Sequence, residues 1–94
     1  MVQNMNKKYE IDILRNPTTV KLLAQQIKAA SDAYISRKIK EKEYRELILY
    51  YATYHGKKLF SASGSLNPTV VNRIGKKRCE LVELMLRDFQ ISIF

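Results

Sequence analysis

The sequence has one cysteine, Cys79, and one histidine, His55. A single thiol excludes an internal disulfide framework, and the two residues together are too few for any Cys/His zinc spacing on one chain. Such sparse cysteine usage fits a reducing cytoplasm, the expected location. Long hydrophobic runs are also missing: no stretch approaches the ~18 consecutive apolar residues that a membrane helix needs. The start, Met1 to Glu10, holds two lysines without the apolar run of a signal peptide behind them. Acid is scarce as well. Nine Asp and Glu stand against seventeen Lys and Arg, giving a formal net charge of +8 and a pI near 9.8. That balance points to a polyanionic or acidic partner and to no particular reaction.

What is present is enough for one domain. Ninety-four residues, 46% hydrophobic and 28% charged, fall at the lower edge of the roughly 100 to 200 residues expected per domain. Residues 1–8, polar and without period, read as a flexible leader, and 9–94 as a single helical domain. The expected class is mainly α: a compact three-helix domain with helices at about 17–36, 41–55 and 68–88. At the two ends, Tyr9 to Ile13 and Phe89 to Ile93 alternate with period two, so 9–14 and 89–93 form either a short β-ribbon or two loosely packed tails.

The first helix is expected to open at Asn16-Pro17-Thr18, with Asn16 as cap and Pro17 at the first helical position. Val20, Leu23, Ala24, Ile27, Ala30 and Tyr34 then share one face, leaving Lys21, Gln25, Lys28 and Asp32 to water. In the second helix Tyr44, Leu47, Ile48, Tyr51 and His55 form the stripe, the acids Glu41 and Glu43 suit the first turn, and Gly56 is the expected stop. Lys57 to Leu66 reads as a loop anchored by Leu59 and Phe60, with Ser61, Ser63, Gly64 and Ser65 as its flexible part. Asn67-Pro68-Thr69 then repeats the opening of the first helix. Gly75 falls in the middle of the third helix, where glycine costs about 1 kcal/mol relative to alanine. Either a neighbouring helix crosses closely there or backbone approaches a ligand.

The charge is concentrated. Residues 57–78 hold Lys57, Lys58, Arg73, Lys76, Lys77 and Arg78 and no acid. Four of these lie early in the third helix, where the helix dipole favours acids instead. The arrangement becomes favourable if a phosphate sits there, with Ser63, Gly64, Ser65 and Asn67 as its binding loop and the cations converging on the same anion. An ordinary solvated basic face is the competing account. Arg78 interrupts the apolar stripe between Ile74 and Leu81, so it either pairs with Glu43 or Glu46 of the second helix or snorkels out to the patch. Tyr50 and Tyr54 lie off the buried stripe and are available to stack on bases beside Lys57 and Lys58, whereas Tyr44 and Tyr51 belong to the core.

Three chemistries are not expected. Gly75-Lys76-Lys77 is no P-loop, because the glycine required five residues earlier is replaced by Val70. The connection from Gly56 to Asn67 is too long for the turn of a standard helix-turn-helix, which leaves open a variant in which the third helix still enters a groove. Catalysis lacks partners: His55 has no second histidine, and Ser61, Ser63 and Ser65 sit in a loop that positions them poorly. No enzyme, no cofactor and no metal site is therefore expected. His55 reads as a helix C-terminal residue, and Cys79 as a packing residue whose thiolate Arg78 would favour.

The run Tyr54-His55-Gly56-Lys57-Lys58-Leu59-Phe60, with Asn67-Pro68-Thr69-Val70 and Ile74-Gly75-Lys76-Lys77-Arg78, resembles a family of small, largely uncharacterised proteins of Firmicutes, many of them in prophages and mobile elements. The resemblance covers roughly 14–87 and leaves both tails outside. It implies a cytoplasmic accessory or host-takeover protein, for which DNA binding and inhibition of a host protein are both common roles. The expected function is nucleic-acid binding through Lys57, Lys58, Arg73, Lys76, Lys77 and Arg78, with Tyr50 or Tyr54 stacking and DNA favoured over RNA. The alternative is a protein-interaction module or inhibitor presenting the same patch to an acidic protein surface. An exposed apolar patch of Leu59, Phe60, Leu84 and Leu86 would favour that alternative or a homodimer.

Overall fold

In a computed structural model that describes residues 13–87 and 89, the helical periodicity is realised as five helices. The first, α1, spans Val20–Ile35 and starts one turn later than Asn16-Pro17 suggests. Thr19 takes the cap instead: its backbone is extended and its hydroxyl accepts from the Leu22 N–H at 3.0 Å. Pro17 is buried, and Asn16 is left free for other partners. The face carrying Leu23, Ala24, Ile27, Ala30 and Ala33 is buried. At the far end Arg37 adopts φ +67°. The Arg37 N–H donates to the Tyr34 carbonyl at 3.0 Å and the Lys38 N–H to Ala33 at 2.7 Å, a Schellman closure in which a side chain occupies the place glycine usually takes.

Helix α2, Glu41–Tyr54, matches its expected limits. Lysine cannot cap through its side chain, and the Glu43 carboxylate compensates by accepting the Lys40 N–H at 2.8 Å. His55 ends the helix, but Gly56 is not a stop: it opens the single turn α3, Gly56–Leu59. An isolated antiparallel bridge between Phe60 and Leu66 then closes a turn in which the Ser61 N–H reaches the Ser65 carbonyl at 2.8 Å. Gly64, at φ +93°, makes that reversal possible.

The expected third helix is two. Helix α4 spans Pro68–Ile74 with Asn67 as cap, and α5 spans Lys76–Met85. They meet at Gly75, whose φ of +87° and ψ of 163° lie in a region open essentially only to glycine. A Cβ there would meet nothing closer than the Arg78 guanidinium at 4.0 Å, so neither a close helix crossing nor a crowded ligand accounts for the glycine. Its backbone angle does.

Helix α1 is central, packing against the other four helices and most extensively against α4. Its core is continuous with Tyr44, Leu47, Ile48 and Tyr51 of α2, Leu59 of α3, Val70 and Ile74 of α4, and Val82 and Met85 of α5. The polar atoms inside are paired: Ser31 Oγ and Tyr44 OH lie 2.7 Å apart, and Tyr34 stacks on the Tyr44 ring at 4.8 Å. Burial, only partly offset by the Ser31 hydrogen bond, pushes the Tyr44 phenol up to about 12 from its ordinary 10.0. The fold therefore holds Tyr44 neutral where the unfolded chain would release its proton. Stability is full below pH 10 and falls as pH rises toward about 12, at up to ~1.4 kcal/mol per pH unit from this group. In chemical denaturation across that window, Tyr44→Phe is expected to show a smaller alkaline loss than the native chain.

The expected count of three helices is thus replaced by five, and among the described residues there is no strand. Ile13, Leu14 and Phe89 are in none, while the remainder of the ribbon segments and the leader 1–8 lie outside the described residues. No helix among the described residues is long and apolar enough to cross a membrane.

Candidate functional site

The break at Gly75 turns the basic stretch into a corner between two helix ends. Arg78, on the first turn of α5, reaches across it. Its Nε and Nη2 donate to the two carboxylate oxygens of Asp32 on α1 at 2.8 and 3.2 Å, and Nη1 donates to the Ile74 carbonyl at the end of α4 at 3.0 Å. The partner expected from sequence was Glu43 or Glu46. Glu43 is instead engaged with Lys40, and Asp32, assigned to the wet face of α1, takes the guanidinium because α4 lies along that helix. The hydrogen bond to Asp32 raises the Arg78 pKa, so the cation is held charged. It is a brace for the corner rather than a free contact.

The other five cations stand apart from this brace. Among the described residues, none of Lys57, Lys58, Arg73, Lys76 and Lys77 takes part in an ion pair. Arg73, Lys76 and Lys77 are exposed around the corner. Lys57 and Lys58 lie at the other end of α4, since the Asn67 side chain donates to the Lys58 carbonyl at 3.2 Å and the Asn67 N–H to Leu59 at 2.8 Å. The two groups are separated by the seven residues of α4, about 10 Å of axis, or the rise of about three nucleotides along one strand of duplex DNA. No Asp or Glu occurs between Glu46 and Glu80. Lys28, one helical turn before Asp32 and exposed, adds a cation on the α1 side that its sequence position alone did not mark.

The split also changes the dipole account. Arg73 now stands in the last turn of α4 and Arg78 donates to a carbonyl at the same end, both favourable positions. Lys76 and Lys77 still oppose a helix dipole, at the start of α5. In the serine loop, the hydroxyls of Ser61, Ser63 and Ser65 lie within 3.0 to 3.4 Å of one another, and Gly64 donates its N–H to the Ser61 carbonyl at 3.0 Å. Asn67 spends its carbonyl oxygen on the Thr69 N–H at 2.8 Å. These donors and acceptors are turned toward each other, and Ser63, Gly64 and Ser65 remain exposed.

A second cluster gathers at the end of α2. The Tyr50 hydroxyl donates to the Asn16 Oδ1 at 2.9 Å, and His55 Nε2 lies 3.0 Å from the same oxygen. The Arg15 guanidinium sits over the Tyr50 ring, 4.9 Å from its centroid, and the Tyr54 ring is 4.8 Å from Tyr50 on the next turn. Tyr50 is half-buried, while Tyr54 is 67% exposed. Neither Arg15 nor the tie through Asn16 was legible in the sequence, because both depend on the segment before α1 folding back onto α2.

Other candidates resolve structurally. Cys79 is buried beside Glu83, its Sγ 4.0 Å from Oε2. Burial and then Glu83 and Glu80 push its pKa up, which corrects the expectation that Arg78 would favour the thiolate. Leu59 is fully buried, and Phe60 and Leu86 are partly buried against the core, so with Leu84 they do not form a joint exposed patch. Among the described residues no group of three or more His, Cys, Asp or Glu could hold a metal ion.

No curated protein and no solved structure matches the chain. A family model described as a conserved hypothetical protein matches residues 14–87, the span that contains all five helices, the Asn16 tie and the Gly75 corner. On that match, the chain belongs to this conserved family.

Proposed function

We propose that this chain is a small nucleic-acid-binding accessory protein of a phage or mobile element, working in the cytoplasm. The observation that carries the reading is the set of five cations, Lys57, Lys58, Arg73, Lys76 and Lys77, at the two ends of α4, which form no ion pair among the described residues and lie in a stretch free of acid. A polyanion with regularly spaced charge meets both groups at once, whereas leaving them unneutralised gains nothing for the fold. Binding is expected to be mainly electrostatic, with DNA favoured over RNA and no chemistry performed on the polymer.

The test is fluorescence anisotropy of labelled single-stranded and duplex DNA and of RNA over a range of salt. With about five phosphates neutralised, log K on duplex DNA falls by about 4.5 per log unit of salt, or roughly 500-fold between ~50 and ~200 mM. A flat salt response, or no binding at low salt, removes the proposal. The inhibitor alternative would gain support from an apolar surface beside the cations, and the buried Leu59 deprives it of the patch that would have favoured it.

A further inference from the structure

We infer that Tyr54, backed by Tyr50 and Arg15, is a stacking platform for an unpaired base, so that the ligand of this protein is single-stranded nucleic acid. The inference rests on the nucleic-acid reading above and narrows it. Its first ground is exposure. Tyr54 is 67% exposed, the largest value for a large hydrophobic side chain among the described residues, although burying an aromatic ring is ordinarily favourable.

The second ground is preorganisation. Tyr54 stands on the final residue of α2, its ring 4.8 Å from Tyr50. Tyr50 is fixed at its hydroxyl by Asn16, which also binds His55, and carries the Arg15 guanidinium on its ring. The ring that backs Tyr54 is thus held in place by the segment before α1. A base stacking on Tyr54 would immobilise little that is not already ordered, which lowers the entropic cost of binding.

The third ground is charge. Lys57 and Lys58 follow Tyr54 on α3, Arg15 lies at its other neighbour, and no carboxylate occurs from Leu47 to Cys79. An aromatic face flanked by cations is the combination that binds single strands without sequence preference: the ring takes a base and the cations take adjacent phosphates. In a duplex the base faces are occupied by their neighbours, so the same surface would have only phosphates to contact. The platform therefore discriminates between polymer forms, which the cations alone do not.

The chain contains no tryptophan, so Tyr54→Trp creates a single selective fluorophore at the proposed contact. Titrated with oligo-dT or oligo-rU of about 15 nucleotides, a length that fills a single-strand site, its emission should be quenched in step with anisotropy. Tyr54→Ala should weaken binding of both oligonucleotides roughly tenfold, within the range known for loss of one base stack, with an unchanged salt slope. Tyr54→Phe should bind like the native chain, and duplex affinity should be the same in all three variants. A loss with only one oligonucleotide would support the platform and show which of the two polymers it engages. Steep salt-dependent binding that Tyr54→Ala leaves unchanged would overturn the platform while the electrostatic reading stands; absence of binding to every nucleic acid at low salt would overturn both.

Discussion

Gly75→Ala is expected to destabilise the protein by about 2–3 kcal/mol, the cost of holding a side chain in a backbone region that glycine almost alone adopts. For a chain of this size that lowers Tm by roughly 10–20 °C. The sign is the informative part. Were Gly75 inside one continuous helix, alanine would stabilise it by about 1 kcal/mol. The two geometries thus predict opposite shifts, and urea denaturation followed by circular dichroism separates them directly. Since a Cβ at Gly75 would approach only the end of the flexible Arg78 side chain, at 4.0 Å, steric collision contributes little and the whole effect is conformational. A stabilised variant with increased helicity would mean that Pro68 to Met85 prefers to be straight, and the corner braced by Arg78 would have to be abandoned.

Reversing two charges at that corner should have the largest effect on binding. Lys76→Glu with Lys77→Glu removes two of about five phosphate contacts and adds two repulsions, so about four effective charges are lost; at ~50 mM salt this amounts to roughly 10⁴-fold in affinity. The salt slope should flatten in proportion. Folding should not suffer, because both lysines are exposed and form no ion pair among the described residues, and Glu at the start of α5 suits the helix dipole better than Lys does. The double variant is therefore expected to be as stable as the native chain or slightly more so while binding far less. Unchanged affinity would place the polyanion elsewhere on the molecule, and loss of helical circular dichroism would show that these side chains are structural.

Helical class, the apolar stripes and the limits of α2 were readable in the sequence because they depend on local period and first-turn acids. The correction at the start of α1 has a tertiary cause. Asn16-Pro17 and Asn67-Pro68 carry the same signal, yet only Asn67 caps, because Thr19 competes with Asn16 and the fold uses Asn16 to hold Tyr50 and His55. Gly75 was visible as an anomaly, but the apolar spacing continues through it, so periodicity could not distinguish a packed glycine from a bend. The partner of Arg78 was out of reach for a similar reason: Asp32 lies 46 positions away, on a face whose neighbour is decided by tertiary packing. Exposure of Lys76, Lys77 and Tyr54 followed from their positions off the stripes, while Arg15 entered the picture only with the fold.

Arg78 bears on how freely the basic residues of this chain can be exchanged. Replacing each exposed arginine or lysine by the other would leave the formal charge at +8 and, for a solvated contact to a polyanion, change little. At position 78 the same exchange would be costly. The planar guanidinium reaches Asp32 with two nitrogens and the Ile74 carbonyl with a third, whereas an ammonium is a single point of charge on a narrower stem. In the six cations from Lys57 to Arg78, five are interchangeable by sign and one is specified by shape, so a composition-preserving redesign could keep the protein's electrostatic potential and still lose the corner that arranges it.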